Sequence, residues 1–289
     1  MKHLFTLLVM LVMFTSCNQE ERLQNAIDGI GEADAFMSDA VGFAGMKPDA
    51  YKHYETVRKL ASPDQLQQLI NDDRPTVRIY GFQGMVETNH SETFTAFRTL
   101  VADSTSLSTM RGCLMGSERL NFLAANLLGN DGLKREHYQF KGRERTVFDS
   151  LLLFSGYFPM RAWTSSLKTV APVDQHYEPI KKLAHDSASI TARTGLANFQ
   201  REIDLDFFRS GFSMNKEHRY NNTMDIISRF PHTSFLPFLK KLQRKLLDAG
   251  VLSYDFDILY LAIFQYPTED IKPFLEVLDR HSDEVRDAV

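Results

Sequence analysis

Apolar residues recur along most of this chain at spacings of three and four, the period of helices buried along one face. Ser62-Pro63-Asp64-Gln65 opens one such stretch with a cap residue, a proline at the first helical position and a glutamine that completes a capping box. Leu66, Leu69 and Ile70 then share a face. Asp72-Asp73-Arg74-Pro75 ends this helix and starts the next, where Val77, Tyr80, Gly81, Gly84 and Met85 keep the spacing. Asn89-His90 breaks the pattern, and Ser91-Glu92 begins a third helix carrying Phe94, Phe97, Leu100 and Val101. Loops this short force adjacent helices into antiparallel packing. The same reading predicts a first helix over 22–38, a capped helix over 117–128 and an apolar helix over 145–157, with a strand as the alternative for the core of the last. After a break at Ala171-Pro172-Val173-Asp174, helices are predicted over 177–184 and 188–200, and another begins at 203.

The run Asp72-Asp73-Arg74-Pro75-Thr76-Val77-Arg78-Ile79-Tyr80-Gly81 resembles the start of the second helix in HEAT repeats. Pro75 sets the helix start, Val77 packs inward, and Arg78 is expected to pair with a carboxylate such as Asp72 or Asp73. Gly81 and Gly84 stand where such repeats carry alanine. Interior glycine costs about 1 kcal/mol relative to alanine, so close helix packing is the expected compensation. A second repeat signal is internal. Residues 230–239 align with 266–275 at an offset of 36, which also sets Ile227 on Ile263, Leu242 on Leu278 and Arg244 on Arg280. Sustained self-similarity at this period marks stacked helical hairpins, here 220–230 with 233–247 and 254–265 with 269–280. The expected fold is therefore all-α: an α-solenoid of HEAT-like antiparallel helix pairs, least regular over 103–175.

The amino terminus carries different information. Met1-Lys2-His3 precedes an apolar run from Leu4 to Met13, too short for a hydrocarbon core of about 30 Å that needs about 20 apolar residues. A positive head, a short apolar segment and a small-residue site form a secretory signal. Phe14-Thr15-Ser16-Cys17 resembles the lipobox of bacterial lipoproteins, in the looser form of Bacteroidetes; Phe14 and Ser16 depart from the usual Leu and Gly or Ala. The resemblance implies cleavage before Cys17 and acylation of its thiol, with anchoring in the cell envelope, at the outer membrane. Two or more acyl chains hold stably, at about 0.8 kcal/mol per buried CH₂. Asn18-Gln19-Glu20-Glu21-Arg22 reads as a polar tether, and Glu20-Glu21 resembles the acidic export signal of surface-exposed lipoproteins of that group.

These signals divide the chain into a signal peptide (1–16), a lipidated cysteine with tether and first helix (17–45), a HEAT-like region (46–170) and carboxy-terminal repeats (171–289). The net charge of −4, with no clustered basic surface, argues against nucleic acid. With Cys17 acylated, Cys113 has no intramolecular partner. Among Met110, Leu114 and Met115 it reads as a small buried hydrophobe rather than a nucleophile.

Catalytic signatures are missing: no H-E-x-x-H, C-x-x-C, phosphate loop or G-x-S-x-G. The nine histidines show no i, i+4 pair and read as surface or capping residues, so neither a metal nor a cofactor is expected. Asp72-Asp73 reads as helix-capping rather than as an acid–base pair, and the aromatics recur at core spacing. Asp103-Ser104-Thr105, Asp149-Ser150-Leu151 and Asp186-Ser187-Ala188 resemble O-glycosylation acceptors of Bacteroidetes. The function expected is a lipid-anchored module that binds or scaffolds a protein partner. The alternatives are an envelope enzyme whose site is assembled from residues distant in sequence, or a binder of small ligands or glycans.

Cys17→Ala is expected to block processing by the lipoprotein pathway and to abolish fatty-acid labelling, read by metabolic incorporation of a palmitate analogue. Undiminished labelling of the variant would contradict acylation at this position.

Overall fold

The computed structural model describes residues 18–129, 138–158, 165–186, 189–212, 219–248 and 254–287. It is mostly helical, with fourteen α-helices and one three-stranded sheet among the described residues. The chain divides into two compact units. One runs to Phe148; the other starts at Leu167 and also takes in Asp149–Phe154.

The first unit comprises α1 (residues 18–32), β1 (Ala35–Val41), α2 (Asp49–Leu60), α3 (Pro63–Leu69), α4 (Pro75–Glu87), α5 (Thr93–Leu100), β2 (Ser106–Gly112), β3 (Leu114–Arg119), α6 (Leu120–Gly129) and the start of α7 (Glu144–Phe154). The capping box of α3 is formed: Ser62 Oγ accepts the Gln65 N–H at 3.2 Å, and Gln65 Oε1 accepts the Ser62 N–H at 2.8 Å. α4 is buried around nearly its whole circumference, ten of its thirteen residues being inaccessible, as a helix apolar on all sides requires. α3, α5, α6 and β1 surround it. Gly81 and Gly84 make the α3 contact. A Cβ on Gly81 would lie 2.6 Å from the Cβ of Leu69, and one on Gly84 2.9 Å from Leu66 Cδ2. The expected compensation for two interior glycines is present.

The sheet departs from the all-helical expectation. Its order is β1-β2-β3, with β1 parallel to β2 and β2 antiparallel to β3. The helix predicted over 22–38 ends at residue 32, and the chain re-emerges as a strand at Ala35. The helix predicted over 117–128 starts at Leu120, because Ser117–Arg119 belong to β3. Pairing to distant partners sets these ends: Phe36 lies opposite Thr109, and Ser108 opposite Ser117. The Tyr80 hydroxyl fastens β1 to α4 by donating to the Met37 carbonyl and accepting the Met37 N–H, both at 3.0 Å. Tyr80 also sits between Phe36, tilted against it at 4.9 Å between centroids, and Tyr54, stacked on it at 5.1 Å.

The second unit contains the end of α7, then α8 (Asp174–Asp186), α9 (Ile190–Ala197), α10 (Leu205–Gly211), α11 (Arg219–Arg229), α12 (Leu236–Asp248), α13 (Tyr254–Ile263) and α14 (Thr268–Asp287). α9 packs on α8 and α11, α11 on α13, and α12 on both α13 and α14. The 36-residue offset holds in burial at three pairs: Ile227 with Ile263, Phe230 with Tyr266, and Phe235 with Ile271. Tyr266 donates to the His232 carbonyl at 3.1 Å, and Gln243 to the Phe274 carbonyl at 2.8 Å, so successive hairpins are cross-linked by hydrogen bonds. At Phe238 and Phe274 the equivalence fails. Phe274 is fully buried, whereas Phe238 is half-buried, against Phe212.

Phe274→Ala is expected to cost about 3–5 kcal/mol, the usual range for a fully buried phenylalanine. Phe238→Ala should cost distinctly less. Hydrogen exchange should show protection lost first in α13 and α14 for Phe274→Ala; equal losses in the two variants would contradict this assignment of burial.

Candidate interaction surface

The sheet is covered at its base and bare at its end. Phe36, Leu107 and Thr109 are buried, but β3 is exposed along nearly its whole length. Two tight turns close the bare end. Val41 and Met46 exchange both backbone hydrogen bonds at 2.9 Å around Gly42-Phe43-Ala44-Gly45, with Gly42 and Gly45 at φ of +72° and +61°. Arg111 faces Leu114 across a two-residue loop, Gly112-Cys113. Gly112, at φ +56°, fills the first loop position, where a hairpin turn of this kind calls for glycine. The Gly42 N–H donates to the Gly112 carbonyl at 2.9 Å, so the two turns lie side by side.

Together they present Phe43, fully exposed, with Met46, Leu114 and Met115 at 68, 78 and 81% exposure. Charge surrounds this tip: Lys47 pairs with Glu55 at 2.6 Å, and Arg111 with Glu118 at 3.5 Å. Cys113 sits on the tip and is exposed, contrary to the expectation of a buried hydrophobe. Its apolar sequence neighbours point to solvent as well, so local composition misled. Beyond the tip, the outer edge of β3 carries backbone groups that no described residue pairs. An unpaired edge is a template for another strand. Clustered exposed apolar side chains mark contact surfaces more often than isolated ones do.

Cys17 lies outside the described residues. The stretch expected to be a polar tether, residues 18–22, is exposed but helical, forming the first turn and more of α1. Gln19 Nε2 donates to the Leu60 carbonyl at 3.4 Å, which places the start of α1 beside the end of α2. The tip immediately precedes the start of α2. The start of α1 and the start of α2 are thus separated by the length of α2, about 18 Å for its twelve residues.

The charged residues at the start of α4 form ion pairs and backbone contacts. Asp72 accepts the Arg74 N–H at 2.8 Å and its guanidinium at 2.9 Å, and Arg74 reaches Asp28 at 2.9 Å. Arg78 does not pair with the carboxylate of Asp72 or Asp73. It binds their carbonyls at 2.7 and 3.0 Å and gives its charge to Asp103, at 2.9 Å. Arg74 holds the N-cap position of α4 with no side-chain cap bond, so the helix-capping role expected of Asp72 and Asp73 is not found there. The Arg74 guanidinium and then the Gln24 amide hold the Asp28 carboxyl below its ordinary value; Arg74 does the same for Asp72. At Asp103 burial pushes upward, but hydrogen bonds from Thr105 and the Arg78 charge outweigh it. These are ionised structural groups.

Of the acceptor-like triplets, Ser104 lies in an exposed loop, Ser150 is half-buried in α7, and 186–188 runs outside the described residues. Among the histidines, His232 caps a turn by accepting the Ser234 N–H at 3.2 Å. His176, expected at the surface, is fully buried. Among the described residues no helix is long and apolar enough to cross a membrane, and no group of three or more His, Cys, Asp or Glu could hold a metal ion. Compared with known families, curated proteins and solved structures, the chain matches none.

Each depressed carboxyl contributes stability that is present above its unfolded value, near pH 4, and lost as pH falls through the lower folded value. Denaturant midpoints are therefore expected to decline from pH 5 to pH 2, with a shallower decline in Asp103→Asn. Parallel declines in variant and parent would show that Asp103 carries none of this linkage.

Proposed function

We propose that this protein is a lipid-anchored, protein-binding module of the cell envelope, tethered at Cys17, whose helix pairs stack as an α-solenoid and whose small sheet receives an extended segment of a partner protein. The observation that carries the reading is the unpaired edge of β3 ending in an apolar tip. Strand addition to such an edge draws affinity from backbone hydrogen bonds and specificity from alternate side chains. Leu114, Met115 and Phe43 supply apolar contacts, and Arg111 and Glu118 a charged rim.

The unpaired backbone edge of β3 and the charged rim favour a protein over the bilayer as the occupant. Lys47 and Glu55, and Arg111 and Glu118, form ion pairs beside the apolar residues, which suits a protein surface of mixed character. The 36-residue self-similarity and the HEAT-like Asp-Pro-Val-Arg stretch support the stacked-helix part of the proposal. Among repeat proteins, stacked helix pairs build extended binding surfaces.

A photo-crosslinker on the thiol of Cys113, in the acylated protein within detergent-solubilised envelope, tests this reading. The parent should give a discrete protein adduct. The triple variant Phe43→Ser, Leu114→Ser, Met115→Ser should fold with unchanged circular dichroism and lose at least ten-fold in adduct yield. An adduct that persists undiminished in the folded triple variant, or one formed with lipid instead, would overturn the assignment.

A further inference from the structure

In the second unit, Ser150 and His176 are 26 positions apart in sequence and meet in space: Ser150 Oγ lies 2.9 Å from His176 Nε2. The imidazole is fully buried, and its other nitrogen, Nδ1, lies 3.1 Å from the Ala171 carbonyl. A carbonyl only accepts, so the neutral ring carries its proton on Nδ1 and turns the Nε2 lone pair to the serine hydroxyl. The holder is itself held. Asp149, fully buried and adjacent to Ser150 in sequence, accepts the Ala171 N–H at 2.7 Å. The Ala171 carbonyl also accepts the Val173 N–H at 2.8 Å, and the His176 N–H donates to the Val173 carbonyl at 2.9 Å. The break at Ala171-Pro172-Val173 thus forms a braced turn that fixes the histidine in the first turn of α8.

A hydroxyl, a base within hydrogen-bond reach and a third group orienting the base are the parts of an activated serine nucleophile. Here the orienting group is a backbone carbonyl, with Asp149 behind it. Two further groups flank the hydroxyl. Gln175 Nε2 stands 3.4 Å from Ser150 Oγ and 3.5 Å from His176 Nε2, on an exposed side chain able to turn toward a developing oxyanion. Phe154, one helical turn beyond Ser150, is 55% exposed, with its ring 6.1 Å from the imidazole, and offers an apolar shelf beside the serine.

We propose that Ser150 is a nucleophile for acyl transfer from esters with an apolar acyl group, with His176 as general base and Asp149 as a positioning residue acting through Ala171. Ser150 Oγ attacks the ester carbonyl as its proton passes to His176 Nε2. The carbon–oxygen bond to the alcohol breaks, and the leaving alkoxide takes that proton. Water then attacks the acyl-serine with His176 again as base, releasing the carboxylic acid and restoring the serine. This activity is independent of the binding surface in the first unit.

Incubating the full chain with an alkyl fluorophosphonate tests the assignment directly, because the serine oxygen forms a bond to phosphorus as fluoride leaves. Mass spectrometry of the peptide bearing Ser150 should show the adduct, and Ser150→Ala should show none there. His176→Gln should slow labelling at least 100-fold, within the range for loss of a general base. Gln175→Ala, on an exposed side chain, should slow it with circular dichroism unchanged. Phe154→Ser should shift p-nitrophenyl ester hydrolysis toward shorter acyl chains. No adduct on Ser150 in the folded parent protein would overturn the proposal without recourse to any variant, and so would labelling of His176→Gln at the parent rate.

Discussion

Leu66 and Leu69 of α3 rest against the backbone of α4 at Gly84 and Gly81, and the rest of the first unit is arranged around the approach this permits. A Cβ at Gly81 would run into the Cβ of Leu69 and push α3 outward, and one at Gly84 would force the Leu66 side chain to turn. With α3 so close, α4 is enclosed on its remaining sides by α5, α6 and β1, and its Tyr80 hydroxyl pins the first strand at Met37. Two glycines that weaken helix propensity locally therefore permit the burial of the helix on which the strand, and through it the sheet, is positioned. The ion pairs at the start of α4 act at its rim: Arg74 ties Asp72 to Asp28 of α1, and Arg78 ties the α3–α4 loop to Asp103 ahead of β2.

Rigidity at the base of the sheet explains how its end can be bare. β1 and β2 are fixed by Phe36, Leu107 and Thr109, so the turns at Gly42–Gly45 and Gly112-Cys113 need no cover to keep their shape. Exposing Phe43, Leu114 and Met115 gains nothing for folding, since apolar surface left in water forgoes the main stabilising term. The binding role proposed for the edge of β3 accounts for that arrangement.

What the sequence made legible follows from locality. The capping box at Ser62, the glycines of α4 and the 36-residue echo between Phe230 and Tyr266 are each encoded within a few turns of helix, and each is found where expected. β1 and β3 were not legible. Their identity depends on pairing with a strand some seventy positions away for β1 (Ala35 with Ser108), and β3, exposed on both faces, has no alternation to read. The exposure of Cys113 was missed for the same reason. Ser150 and His176 were hidden differently: they are brought together by a braced turn, and a motif search along the chain contains no term for a carbonyl that orients an imidazole. Phe238 and Phe274 show the limit of repeat reasoning, since equal register did not give equal burial.

The function proposed for this protein requires the tip to face a protein partner and not lipid. A fluorophore on Cys113, in protein inserted into vesicles through acylated Cys17, tests this with doxyl-labelled lipids as quenchers. The expected result is emission of a water-exposed probe, unaffected by doxyl groups at any depth. Quenching by doxyl groups in the acyl region would place Phe43, Leu114 and Met115 in the bilayer and contradict the account.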